Sequence, residues 1–327
     1  MKRHWIALIG IVVLSACKAD KATRVATDSG VEEPATVDGN WTMSDLNGAC
    51  STEDRIGGFE LVHWDNPGDL FSTATGTVSN GTIPNTILEP RETDGDCQLL
   101  TRNNPFCDPP CESGQTCDHD GTCITYPAQQ NIGTVTVAGL NQALTLEPDT
   151  YNNYWDTAVQ YPMYDPNALV EIKTSGSDID GFTLRGVGVE QLVLSSLNWQ
   201  LVAGEDLTIS WTAGATDARI IISLNIDQHG NSPVTMVCDT EDDGEEAVPA
   251  ALVDILINYG VTGFATGTIR RRSADRVDLD AGCAELLVYS HINAQLSVSG
   301  HTPCTSDADC EDGQECDMAT QTCVDSD

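Results

Sequence analysis

At 327 residues with 40% apolar content, the chain is long enough for one large or two ordinary domains with a real hydrophobic core, so size does not limit stability. A formal charge of −35 argues against nucleic-acid phosphates and anionic lipid head groups as partners and leaves cationic ones open. Of the 13 cysteines, Cys17 stands apart near the amino terminus; the even set that follows, Cys50, Cys97, Cys107, Cys111, Cys117, Cys123, Cys238, Cys283, Cys304, Cys310, Cys316 and Cys323, suits disulfides.

The first residues, MKRHWIALIGIVVLSAC, place Lys2 and Arg3 before an apolar run from Trp5 to Leu14 and small residues before Cys17. That is an export signal, with an apolar run too short to span a bilayer as a helix. Leu14, Ser15, Ala16 and Cys17 resemble the lipobox of bacterial lipoproteins. The resemblance implies a signal peptide over 1–16, cleavage before Cys17, and lipidation of its thiol and amino terminus. In that family the residue after the cysteine steers sorting, and Lys18 resembles the outer-membrane class. Several acyl chains, at about 0.8 kcal/mol per buried methylene, anchor far more firmly than one. An exported chain meets an oxidising compartment, and neither cysteine cluster holds a CxxC pair, so bridges are expected rather than structural zinc.

Residues 17–40 read as a lipidated tether, poor in large apolar side chains and without a sustained period. The stretch 41–104 is β-like, with FELVHW (59–64) and STATGTV (72–78) separated by Asn66, Pro67 and Gly68; it is either a separate segment or part of the body. Cys50 and Cys97 bracket it, pairing with each other or reaching into the unit that follows. That unit, 105–126, carries CDPPCESGQTCDHDGTC and almost no core-forming residue, so cross-links must fold it. Its centre, CESGQTCD (111–118), is echoed by CEDGQECD (310–317) in a second unit at 301–327. Both units resemble the EGF-like or Dickkopf-type cysteine repeats of surface lipoproteins of myxobacteria and their relatives. Each has four cysteines where a true EGF domain has six, so that resemblance implies no calcium-binding EGF module.

Between the units, 127–300 shows period-two alternation. Leu207, Ile209 and Trp211 alternate with Asp206, Thr208 and Ser210, and Ile220, Ile222, Leu224 and Ile226 with Arg219, Ile221, Ser223 and Asn225. Ala284, Leu286, Val288, Ser290, Ile292, Ala294, Leu296 and Val298 form one face of a long strand, with Glu285, Tyr289, His291, Asn293, Gln295 and Ser297 on the other. Further strands are expected at 134–137, 144–146, 169–172, 182–184 and 191–194. Half-buried strands in this number predict an all-β fold: an antiparallel β-sandwich body flanked by two small disulfide-rich modules. One short helix interrupts it, from Pro249 through Leu252, Ile255, Leu256 and Tyr259 to a stop at Gly260. Cys238 and Cys283 flank this insertion and are expected to pair.

No GxSxG, HExxH or P-loop occurs, and GVGVEQ (186–191) lacks the third glycine of a dinucleotide loop. Catalytic groups would have to converge from His63, His229, His291 and His301; a lone histidine on a strand is more often satisfied core or surface. The acidic runs at Asp239–Glu246 and Asp307–Asp312 suggest calcium, but an EF-hand loop started at Asp307 puts Asp312 where glycine is required and Met318 where the bidentate glutamate belongs. They are expected to be solvated loops, and Arg270–Arg272 an exposed strand end paired with carboxylates. The expectation is therefore a noncatalytic surface lipoprotein, membrane-bound through Cys17, periplasm-facing or at the cell surface. It binds protein or glycan or serves a structural role, without cofactor, metal or nucleic acid. The alternative is an extracytoplasmic hydrolase with a cryptic site.

Overall fold

The computed structural model describes residues 33–102, 106–215, 217–227 and 234–326. The signal segment, Cys17, most of the tether and His229 lie outside the described residues. The segment 33–40 has no regular secondary structure and is mostly exposed, tied to the body where Gly139 N donates to Ala35 O at 2.9 Å.

Two hairpins come first, β1 (Arg55–Asn66) with β2 (Asp69–Val78) and β3 (Leu88–Asp94) with β4 (Cys97–Arg102). The first cysteine unit contains β5 (Gln115–Cys117) and β6 (Cys123–Thr125). Next come β7 (Val135–Ala138), β8 (Leu144–Leu146), β9 (Tyr154–Val159), β10 (Leu169–Thr174) and β11 (Thr183–Val187). They are followed by β12 (Asn198–Leu201), β13 (Leu207–Ser210), β14 (Arg219–Asn225), β15 (Val234–Glu241) and β16 (Glu245–Val248). The helix α1 (Ala250–Asn258) precedes a long hairpin of β17 (Thr266–Leu279) and β18 (Gly282–Val298). The last unit holds β19 (Gln314–Asp317) and β20 (Thr322–Asp325).

One ten-stranded sheet runs β3-β4-β15-β14-β17-β18-β1-β2-β9, with β12 joined to β18. The stretches 41–104 and 127–300 thus both supply strands to it. All of its pairings are antiparallel except two: β18 runs parallel to β1 and to β12. The inner face meets two covers. Phe59, Leu61, Ala74, Leu286 and Val288 pack against the sheet β11-β10-β7-β8 through Val137, Val170, Ile172 and Leu184. Ile220, Ile222, Leu224, Met236 and Ile292 pack beneath the β13-β16 ribbon, β12 and α1. The body is the expected sandwich, with β17 and β18 long enough to serve both halves of its core.

The helix forms where the sequence places it. Pro249 precedes it with the fixed φ a first turn needs, Leu252, Val253 and Leu256 are buried, and Gly260 ends it at φ 106°. Each buried side chain contributes about 1.5–3 kcal/mol of apolar transfer. Residues 191–194 do not form the expected strand; only Leu194 bridges, to Trp211.

Six disulfides use all twelve body cysteines. Cys238 does not pair with Cys283. In the sheet β14 and β17 separate β15 from β18, whereas β4 places Cys97 directly opposite Cys238 and the loop before β1 brings Cys50 to Cys283. The two units share one connectivity, Cys107–Cys117 with Cys111–Cys123 and Cys304–Cys316 with Cys310–Cys323. In each, the hairpin sets the third cysteine opposite the fourth. The echoed glycines have a physical cause. Gly114 and Gly313 sit at φ 82° and 91° in turns closed by Gln115 N to Glu112 O and Gln314 N to Glu311 O, and a side chain is strained there.

Candidate functional site

The face of the large sheet turned away from its covers carries the site. On β1 it presents Glu60, Val62 and Trp64, and on β18 Leu287, Tyr289 and His291, which register beside them. On β2 the same face presents Thr75 beside Glu60 and Phe71 beside Trp64, and β9 adds Trp155 beside Thr75. Trp155, Thr75, Glu60 and Leu287 therefore form one row across four strands.

Next to that row β1 carries no side chain, at Gly57 and Gly58. A Cβ on Gly57 would lie 2.1 Å from Thr77 O, and one on Gly58 1.9 Å from Glu285 O, so only glycine permits these strands to approach as they do. The result is a groove of about 500 Å³ floored by backbone, between Trp155 and Thr77 on one side and Arg55 and Glu285 on the other. Trp155 is 59% exposed. The loop that leads into β9 is nonetheless built: Asp149 accepts Tyr151 N at 2.8 Å, Asn153 N at 2.9 Å and Asn153 Nδ2 at 3.1 Å. The backbone and side-chain amides of Asn153 hold the Asp149 carboxyl below the usual range, and the Trp155 side chain adds to the effect.

The groove's charges are fixed by neighbours. Glu285 receives Arg55 Nη1 at 3.3 Å and the Cys50 N–H at 2.8 Å, and Glu60 Oε2 accepts the Tyr289 hydroxyl at 2.8 Å. Burial, with Glu60 alongside, pushes the Tyr289 phenol far above its ordinary range. Further along the same face Trp64 stacks on Phe71 at 5.5 Å and meets His291 at 4.4 Å, and the Arg270 guanidinium lies 4.9 Å over Tyr289.

The histidines fall in separate places. His63 points into the core, stacked on Tyr164 at 3.8 Å, its Nε2 accepting the Met163 N–H at 2.9 Å. His291 lies on the opposite face, its Nδ1 meeting Arg270 Nε at 3.1 Å and its Nε2 facing Asn293 Oδ1 at 3.0 Å. Burial pushes both imidazoles down to about 4. His301 Nε2 faces Gly263 O at 2.9 Å. Near His63, Asp65 accepts the hydroxyls of Tyr161 and Ser290, and Ser290 Oγ accepts the Leu192 N–H. Asp65 lines a cleft of about 660 Å³ walled by Leu70, Val193 and Leu197, but Ser290 has no accessible surface. This constellation is a packed polar core: its serine is out of reach of a substrate, and the Nε2 of its histidine is taken by a backbone amide.

The remaining charged candidates are structural. Arg270–Arg272 is not a strand end but the middle of β17, and Arg271 is 1% exposed. The acidic run supplies its partners: Asp242 receives Arg271 Nε at 2.6 Å and Nη2 at 2.9 Å, and Asp239 receives Arg272 at 3.0 Å and Arg219 at 2.8 Å. Asp309 accepts the Thr305 and Ser306 N–H groups, and Asp307 that of Cys316. The cysteine sulfurs that gather in each unit are bonded to one another, not free as metal ligands. The sequence reading passed over the groove because Gly57, Gly58 and Trp155 lie nearly a hundred residues apart; the one signal available was a Gly-Gly pair inside a strand pattern.

No protein-family model matches the chain, and no curated protein matches it. Among solved structures, the FN1–FN3 domains of chicken CNTN1 align over 67% of this chain and 69% of that one, at 8% identity and a TM-score of 0.17. A score that low defines no shared fold from which to reason.

Proposed function

We propose that this chain is a noncatalytic lipoprotein of the outer membrane, anchored through Cys17, whose β body binds a ligand in the groove beside Trp155. The observation that carries the binding role is an exposed tryptophan on β9, just after a hydrogen-bonded loop, beside a groove whose floor on β1 is the Gly57–Gly58 backbone. An indole left in water gains apolar transfer energy when a ligand covers it, and a fixed loop lowers the entropy that binding must overcome. Six disulfides support an oxidising compartment. The lipobox at Leu14–Cys17 and the residue Lys18 support the anchor and its membrane.

Two measurements test the two halves. Cys17→Ser leaves an unprocessed or soluble protein that no longer incorporates labelled palmitate; incorporation at the wild-type level overturns the anchor. A photo-crosslinking amino acid at Thr77, in the wall of the groove, yields a discrete adduct in intact cells, whereas one at the exposed Glu92 of β3 does not. Equal labelling from both positions overturns the groove as the binding surface.

A further inference from the structure

We propose that the groove beside Trp155 takes a neutral glycan chain; this rests on the reading of that face as a binding surface and specifies its ligand. The Trp155 indole offers a flat apolar surface, and the C–H face of a pyranose ring is its chemical complement: apolar across the ring, with hydroxyls around the edge. Those hydroxyls need donors and acceptors at the rim, and Glu60, Thr75, Thr77 and Asn153 line it. Glu60 is preorganised, since the Tyr289 hydroxyl holds one of its oxygens. The glycine floor lets a flat ring lie against the peptide planes at Gly57 and Gly58.

Charge narrows the class. Arg55 is offset by Glu285, and a chain of formal charge −35 repels polyanions. A neutral chain meets neither obstacle. Length points to a polymer: Phe71, 38% exposed and stacked on Trp64, is on the same face four residues along β2 from Thr75, roughly 13 Å away at strand rise. Two exposed rings at that separation suit several sugar units rather than one.

The test is affinity electrophoresis of the full chain, purified in mild detergent, through gels carrying neutral polysaccharides (β-glucan, mannan, xylan) or the anionic polysaccharide alginate. The wild-type protein is retarded by at least one neutral polymer. Trp155→Ala weakens that binding by about tenfold or more, Trp155→Phe retains most of it, and Thr75→Arg, which fills the groove, removes it. Unchanged circular dichroism and melting in each variant show that folding is not the cause. Retardation by alginate alone, or equal retardation of wild type and Trp155→Ala, overturns the proposal. Absence of retardation by every polymer also overturns it, and the Thr77 crosslink then separates two failures: an adduct with a protein keeps the groove as a binding surface with the wrong ligand class, and no adduct removes both.

Discussion

Arg271 is among the largest fully buried side chains of the described residues, and its charge is met on every side. Asp242 takes two of its N–H groups, and the carbonyls of Thr212 and Gln191 take others at 2.6 and 3.1 Å. A buried ion of this kind is tolerated only while it is fully paired. Asp242→Asn leaves the guanidinium uncompensated and is expected to cost about 3–5 kcal/mol, read from the denaturant midpoint at unchanged m. The two buried imidazoles act with the opposite polarity. His63 and His291 hold protons poorly when folded, with values near 4, whereas the unfolded chain takes them up near about 6.5. Across that window the unfolded state binds more protons, so stability is intact above pH about 6.5 and falls as pH drops toward 4. Each histidine contributes a slope of up to about 1.4 kcal/mol per pH unit. Replacing His63 by Gln is expected to lower stability at pH 7 while flattening this fall, measured as melting temperature between pH 7 and 5. A pH dependence identical to wild type would contradict the buried, neutral imidazole.

The paired units show how far a short element can be specified by turn chemistry alone. A Cβ added at Gly313 would meet nothing within 4 Å, so Gly313→Ala isolates the cost of a positive φ, about 1 kcal/mol. Faster reduction of Cys304–Cys316 and Cys310–Cys323 in that variant, followed by timed alkylation, checks it. The Gly-Gln echo in the sequence was the visible trace of this turn, and the Pro249-to-Gly260 pattern was the trace of α1; both are local, and both were legible. The alternation along 284–298 correctly gave the apolar face of β18. It misread the other face, where Glu285, Tyr289 and His291 look solvent-facing yet are buried against Arg55, Glu60 and Arg270. Polarity marks exposure only when the polar group lacks a partner, and these partners come from β1 and β17. Cysteine pairing failed for the same reason: Cys97 and Cys238 become neighbours through strand order, which no local spacing records. The groove is the sum of a glycine pair on one strand and a tryptophan on another, and neither carries the meaning alone.

On the scale of the whole chain, the terminal unit leans lightly on the body. Its bridges are internal, and its link to the loop after α1 includes Gly263 N to Thr320 O at 2.8 Å. A chain ending at Gly300 is expected to keep one cooperative melting transition within a few degrees of the full protein; broad or multiphasic melting would make the unit part of the core. The body is held differently. Cys50–Cys283 joins residues 233 positions apart, and nearly every strand of the sandwich, from β1 through β17, lies inside that covalent ring. Tension entering along the segment 33–49 crosses at Cys50 directly to β18 and bypasses the strands between. A protein tethered by its amino end while its outer sheet grips a polymer would bear load along this route. Under the proposed anchor and ligand, drag on the polymer would load the Cys50–Cys283 linkage and the end of the β17–β18 hairpin rather than the strands enclosed between those two cysteines.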